Sequence, residues 1–208
     1  MKRLDEVTIT VHGVPSLVLM ERAALVSVET LHEEGFGLDS VMVICGPGNN
    51  GGDGVAIARL LHVAGVNVQA VLVGDPEKRT EETLKQLQIA ETYGVPIIPL
   101  AAAVMAETPQ TVVDALLGIG TLRAPANEFL DAVRYINSCH EAGARTLAID
   151  IPTGVSADTG ETPGEAVKAD ATVTFAYKKV GLTIPPGSTL AGKIVVKDIG
   201  IYAQDMPL

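Results

Sequence analysis

The stretch Val41–Gly54, VMVICGPGNNGGDG, places five apolar residues directly before a segment with glycine at 46, 48, 51, 52 and 54. VMVIC has the length and content of a buried strand, and VAIARLLHVA over 55–64 has the composition of a helix. A strand, a tight glycine loop and a helix start are expected. Glycine lets the backbone take positive φ and lets a ligand approach the main chain, while the first N–H groups of the helix point into the loop. A polar small molecule suits such a loop. Gly46, Gly48 and Gly51 satisfy the G-x-G-x-x-G spacing of dinucleotide-binding turns. The Lys-Ser/Thr ending of a triphosphate-binding loop is missing, which excludes that class. Asn49, Asn50 and Asp53 supply oxygens where a pyrophosphate loop offers N–H groups, and Asp53 would repel a phosphate lodged on it. The plainer alternative is that Asn50 or Asp53 simply caps the helix.

On either side of this stretch, strand-like and helix-like segments alternate. Residues 1–34 read as helix, broken by Gly13-Val14-Pro15. Strands are expected at 66–73, 95–99, 111–117, 145–151, 171–175 and 193–199. Helices are expected from Pro76, capped by Asp75, towards Tyr93, and at 101–106 and 127–140. The strands are apolar at consecutive positions, which means burial on both faces. The expected fold is therefore a Rossmann-like three-layer α/β/α sandwich, a single domain over 1–208 with a mostly parallel central sheet.

Composition narrows the function. A net charge of −10 opposes nucleic acid and anionic membranes, and with no Trp and 3% aromatic residues there is little to stack on bases. Although mean hydropathy is +0.31, Arg59 and His62 interrupt the best candidate for a membrane span. The N-terminus lacks the apolar core of a signal peptide, so a cytoplasmic location is expected. Cys45 and Cys139 fit neither a disulfide framework nor a metal knuckle and read as small buried residues.

In a doubly wound sheet, ligands bind beyond the carboxyl ends of the strands. Three polar clusters fall there: GNNGGDG, Asp114 with GIGTLRAP, and Asp150-Ile-Pro-Thr-Gly. They are expected to share one pocket. Asp114 lies in an apolar strand and needs a cation, N–H donors or a raised pKa. Asp150 either faces the pocket or caps the turn before Pro152. The histidines, at 12, 32, 62 and 140, fall away from these clusters, so the inventory is carboxylates, amides, hydroxyls and backbone. The loop-rich segment 152–168 reads as functional.

CGPGNNGGDGVAIARLL, DALLGIGTLRAP, AIDIPTGVSADTG, ATVTFAYKKVGLTIPPG and the opening HGVPSLVLMERAA resemble the NAD(P)H-hydrate epimerase family, also called the YjeF N-terminal domain. The resemblance spans nearly the whole chain. It implies a Rossmann-like fold, often dimeric, and interconversion of the R and S epimers of hydrated NADH or NADPH. It also implies that the hydrate is held by Asn49, Asn50, Gly51, Gly52, Asp53, Gly118, Ile119, Gly120, Thr121, Leu122, Arg123, Ala124 and Asp150. Asp150 matches the catalytic carboxylate, and one potassium ion per subunit would be held by Asn50, Asp114 and Thr153. Ile119 stands where Thr is usual, and Ala176-Tyr177-Lys178 where Gly-Ala-Pro is commoner. A homodimer and a separate dehydratase are the implied partners.

Two other readings stand beside this one. An NAD-dependent dehydrogenase would use the glycine spacing with Asp75 as a ribose partner, although no well-placed His or Lys is evident. A non-catalytic binding module of the same fold would have no use for Asp150 beside a polar pocket.

Overall fold

The computed structural model describes residues 2–119 and 124–201. Seven strands form one sheet: β1 (Val41–Cys45), β2 (Val68–Leu72), β3 (Ile97–Pro99), β4 (Thr111–Ala115), β5 (Arg145–Ile149), β6 (Ala171–Phe175) and β7 (Lys193–Lys197). Their order is β3-β2-β1-β4-β5-β6-β7 and every pairing is parallel, so the expectation of a mostly parallel sheet holds for all seven. The helices are α1 (Lys2–Thr10), α2 (Ser16–Glu33), α3 (Asn49–Val63), α4 (Glu81–Thr92), α5 (Leu100–Val104), α6 (Glu128–Glu141) and the short α7 (Gly187–Leu190). None of the described helices is long and apolar enough to cross a membrane.

Alternate strand residues feed two cores, as the pleat requires. Val41, Val43 and Cys45 of β1 pack with Leu31 of α2, Ile57 and Leu61 of α3 and Leu87 of α4. Met42 and Ile44 pack on the other face with Leu100 of α5 and Val133 and Ile136 of α6. The sheet is thus the middle of three layers. A third, smaller cluster of Ile151, Val155, Leu182 and Ala191 anchors the loop after β5. Cys45 and Cys139 are free thiols and buried.

Where strands end decides where the polar groups land. The 145–151 segment stops pairing at Ile149, which leaves Asp150 as the first residue beyond the sheet. The glycine stretch departs from expectation more strongly. Helix α3 begins at Asn49, so Asn49, Asn50, Gly51, Gly52 and Asp53 form its first turns and do not lie in a loop. Gly48 is the N-cap, without a side-chain cap, so neither Asn50 nor Asp53 has that role. None of Gly46, Gly48, Gly51, Gly52 and Gly54 has positive φ. Asp75 caps only a 3-10 turn at Pro76–Lys78, accepting from Glu77 N–H at 3.0 Å, and α4 starts separately behind Thr80. The turn Val180–Leu182 and α7 were not expected from the residues.

Candidate active site

A cavity of about 540 Å3 opens at the carboxyl end of the sheet. Its walls are the first turns of α3, Asp5 of α1, Ser16, Leu19, Met20 and Ala23 of α2, and the segment Leu116–Ile119 after β4. Asp150, Phe175 and Lys179 form its sheet side.

Asp150 is fixed from several directions. Its backbone N–H donates to Val173 O at 2.7 Å, and its φ of 68° lies in the left-handed region, where Asp is one of the few non-glycine residues tolerated. Its carboxylate forms a buried ion pair with Lys179 and accepts from the Thr174 hydroxyl at 3.3 Å. Lys179 also donates to Phe175 O at 3.1 Å. With Asp150 at 9% and Lys179 at 8% exposure, this pair is largely withdrawn from water, and breaking it would strand a charge. Asp150 therefore does more than cap a turn.

Two more carboxyl groups face the cavity. Asp53, on the second turn of α3, has no hydrogen bond or ion pair among the described residues. Burial, then the charges of Asp150 and Asp5, hold its pKa well above the usual carboxylate range. Asp5 is raised by burial first and by Asp150 second, with Lys179 pulling the other way. Among the described residues the cavity thus gathers the carboxyl groups of Asp5, Asp53 and Asp150 with the ammonium groups of Lys179 and Lys78.

Asp114 lies outside the cavity, fully buried beside it. It accepts from Leu116 N–H at 3.2 Å, from Thr153 N–H at 2.8 Å and from the Thr153 hydroxyl at 2.7 Å. Burial pushes its pKa up to about 6 despite these bonds. Thr153 Oγ1 also accepts from Leu117 N–H at 3.0 Å, so the loops after β4 and β5 are tied together through this one pair of residues. Asn50 packs beside Gly118, where a Cβ would sit 3.3 Å from the Asn50 Cβ, and its buried Nδ2 has no hydrogen-bond partner among the described residues.

Residues 16–181 match the family described as YjeF-related protein N-terminus. Among curated proteins, the chain is 47% identical to the NAD(P)H-hydrate epimerase of Levilactobacillus brevis, over 98% of this chain and 93% of that one. It is 48% identical to the enzyme of that name from Limosilactobacillus reuteri, strain DSM 20016, over 99% and 95% of the two chains. The chain belongs to the NAD(P)H-hydrate epimerase family. Among solved structures, yeast ynu0 (YNL200c) superposes with a TM-score of 0.78 at 22% identity, over 95% of this chain and 84% of that one, a likeness of fold.

Of the residues that the epimerase likeness singles out, Asn49, Asn50, Asp53, Gly118, Ile119 and Asp150 line the cavity. Gly51 and Gly52 are not among its lining residues. A Cβ on Gly51 would meet Gly46 O at 1.8 Å, and one on Gly52 would meet Met20 Cε at 2.6 Å. These glycines are needed for close packing within the protein. Gly48 alone of the five has open space around it, with nothing within 4 Å of an added Cβ. Ala124 is exposed and packs near Gly164, away from the cavity lining. Gly120, Thr121, Leu122 and Arg123 lie outside the described residues. None of the four histidines lines the cavity.

Sequence reasoning missed Lys179 and Asp5. A well-placed Lys does exist: Lys179 is paired with Asp150. The available signal was a Lys-Lys pair just past an apolar strand, ATVTFAYKK, in a fold whose strand ends carry the site. Asp5 gave no local signal, since only the folding of α1 against the strand ends brings it to the cavity.

Proposed function

We propose that this chain interconverts the R and S forms of hydrated NADH and NADPH in the cytosol, with Asp150 as a catalytic carboxylate. By family it is an isomerase. The observation that carries the reading is the buried Asp150–Lys179 pair at the sheet side of a cavity whose other wall is the GNNGGD helix start. A hydrate of this kind has a carbinolamine carbon, N–C–OH, at C6 of the reduced ring. Protonation of the hydroxyl lets water leave, the ring nitrogen lone pair stabilises C6, and water returning to either face sheds a proton. Hydride transfer has no part in this sequence.

Local charge suits that chemistry. A ring that becomes cationic is stabilised by a fixed negative group in a water-poor site, and Asp150 lines the cavity as such a group. The anionic part of the substrate finds its partners elsewhere on the cavity wall. The uncapped N-terminus of α3 presents free N–H groups beside Gly48, and Lys78 stands at the rim. Asp75, the ribose partner that a dehydrogenase reading requires, is occupied in capping its own turn.

A potassium ion at Asn50, Asp114 and Thr153 belongs to the same proposal. These residues offer an amide, a carboxylate and a hydroxyl around the Leu116–Gly118 backbone, a hard oxygen set suited to an alkali cation. The buried charge of Asp114 supports the fit. When bound, such an ion would offset that charge and steady the two loops that Thr153 ties together. The proposal extends to a homodimer working beside a separate dehydratase.

The test is Asp150→Asn, assayed on one purified epimer with chromatographic detection of the other. A general acid or base contributes roughly a hundred- to ten-thousand-fold in rate, so turnover is expected to fall at least about a hundredfold while the hydrate still binds. Near-normal turnover would remove Asp150 from the mechanism.

A further inference from the structure

Inversion at C6 asks something of a site that simple dehydration does not: water must leave from one face of a flat ring and return from the other. One acid–base group serves one face. The cavity presents a second, on a different element. Asp150 projects from the end of β5, held by Lys179 and Thr174, whereas Asp53 projects from the second turn of α3, with Asp5 of α1 beside it. Among the described residues, every other cavity-lining carboxylate, amide or hydroxyl belongs to Asp5, Ser16, Asn49 or Asn50. Ser16 is engaged, donating to Glu82 at 2.7 Å. Asp53 has no hydrogen bond or ion pair to occupy its carboxyl group among the described residues.

We propose that Asp53 is a second catalytic residue, which handles the proton on the ring face opposite Asp150. This deepens the epimerase reading and rests on it. For the epimer whose hydroxyl faces Asp53, the carboxyl O–H gives its proton to that hydroxyl. The C6–O bond breaks with its electron pair on oxygen, water departs, and the nitrogen lone pair forms the N=C6 bond. A water on the opposite face then forms the new C6–O bond as the N=C6 pair returns to nitrogen, and its surplus proton passes to the Asp150 carboxylate. The reverse reaction starts with that proton on Asp150 and ends with it on Asp53. One proton shared by two carboxyl groups therefore serves both directions, and Lys179 stays an ammonium group throughout. The two environments suit these starting states. Asp150 is ion-paired with Lys179, and burial, then the charges of Asp150 and Asp5, favour the neutral form of Asp53.

Oxygen exchange separates two-face from one-face catalysis, because water that leaves and returns on the same face exchanges oxygen without inverting the carbon. Each purified epimer is incubated with the full chain in water enriched in oxygen-18, and label uptake and inversion are followed together by mass spectrometry and chromatography. In Asp53→Asn, the epimer whose hydroxyl faces Asp150 keeps exchanging while its inversion falls at least about tenfold below exchange. The other epimer loses both, by about a hundredfold. Asp150→Asn reverses which epimer is spared. Continued exchange by the spared epimer reports folded, binding-competent protein in the same sample. Equal losses for both epimers, or inversion unchanged in Asp53→Asn, overturn the role of Asp53. If the unmodified chain accelerates neither exchange nor inversion, the epimerase reading itself falls.

Discussion

A half-buried carboxyl group beside two like charges resists ionisation, and this couples the stability of the fold to pH through Asp53. Its folded pKa lies well above the ordinary value near 3.8. From that value upward the unfolded chain gives up the proton first, the native state holds more protons, and stability falls as pH rises. Asp5 and Asp114 shift in the same direction, Asp114 to about 6. Asp53→Asn removes one of these penalties. Its melting temperature is expected to match the unmodified protein near about pH 4 and to exceed it increasingly towards about pH 8, as read by calorimetry. A gap that stays constant or shrinks with pH would mean that Asp53 ionises normally. At this scale the sequence was partly legible. Asp114 stood out because a carboxylate in TVVDALL has to find donors, and Thr153 supplies two of them. Lys179 did not stand out, because its partner lies 29 positions away and nothing local marks the pairing.

At the scale of elements, the start of α3 shows what the glycines are for. Glycine is a poor helix former, so five of them within nine residues read as loop. Contacts between elements override that preference. A Cβ on Gly54 would lie 2.5 Å from the Ala115 Cβ and 2.9 Å from Cys45 Sγ, so glycine is what lets α3 lie close against β1 and β4. Gly54→Ala, which would stabilise an isolated helix, is expected instead to cost about 1–3 kcal/mol through overpacking against strand atoms that cannot move aside. Gly52→Ala meets chiefly the flexible tip of Met20 and should cost less. Urea unfolding of the two variants checks the order. If Gly54→Ala were the more stable of the two, the close-packing account would fail. The strands were legible because most of them carry apolar residues at consecutive positions. The ends of β4 and β5 were read two residues too long, since Ile151 and Leu116 are buried in the loops beyond the sheet and look like strand residues.

For the whole molecule, chain direction reverses beside β1: the chain runs outward through β2 and β3, then crosses back to β4, β5, β6 and β7. The cavity lies at the carboxyl ends on the β4 side of that switch, where such folds hold their ligands. That the polar clusters converge was legible from strand order in the chain. That α1 and α2 close the other side was not, because their packing on the sheet is settled only in three dimensions. The same convergence makes a cation site a property of two loops and one helix together. Potassium is expected to raise the melting temperature above that in an equal concentration of a bulky organic cation, and Asp114→Ala or Asn50→Ala should abolish the difference. Identical melting curves in the two salts for the unmodified protein would rule the site out. The central claim is inversion at C6 without oxidation. The most direct measurement is a proton NMR time course on one purified hydrate epimer with the unmodified protein, following the signal of the hydrogen on C6. The epimerase account predicts that the starting signal decays, the signal of the other epimer rises to the equilibrium ratio, and their sum stays constant. A starting signal that decays no faster than without protein, or a sum that falls as oxidised nicotinamide appears, would contradict it.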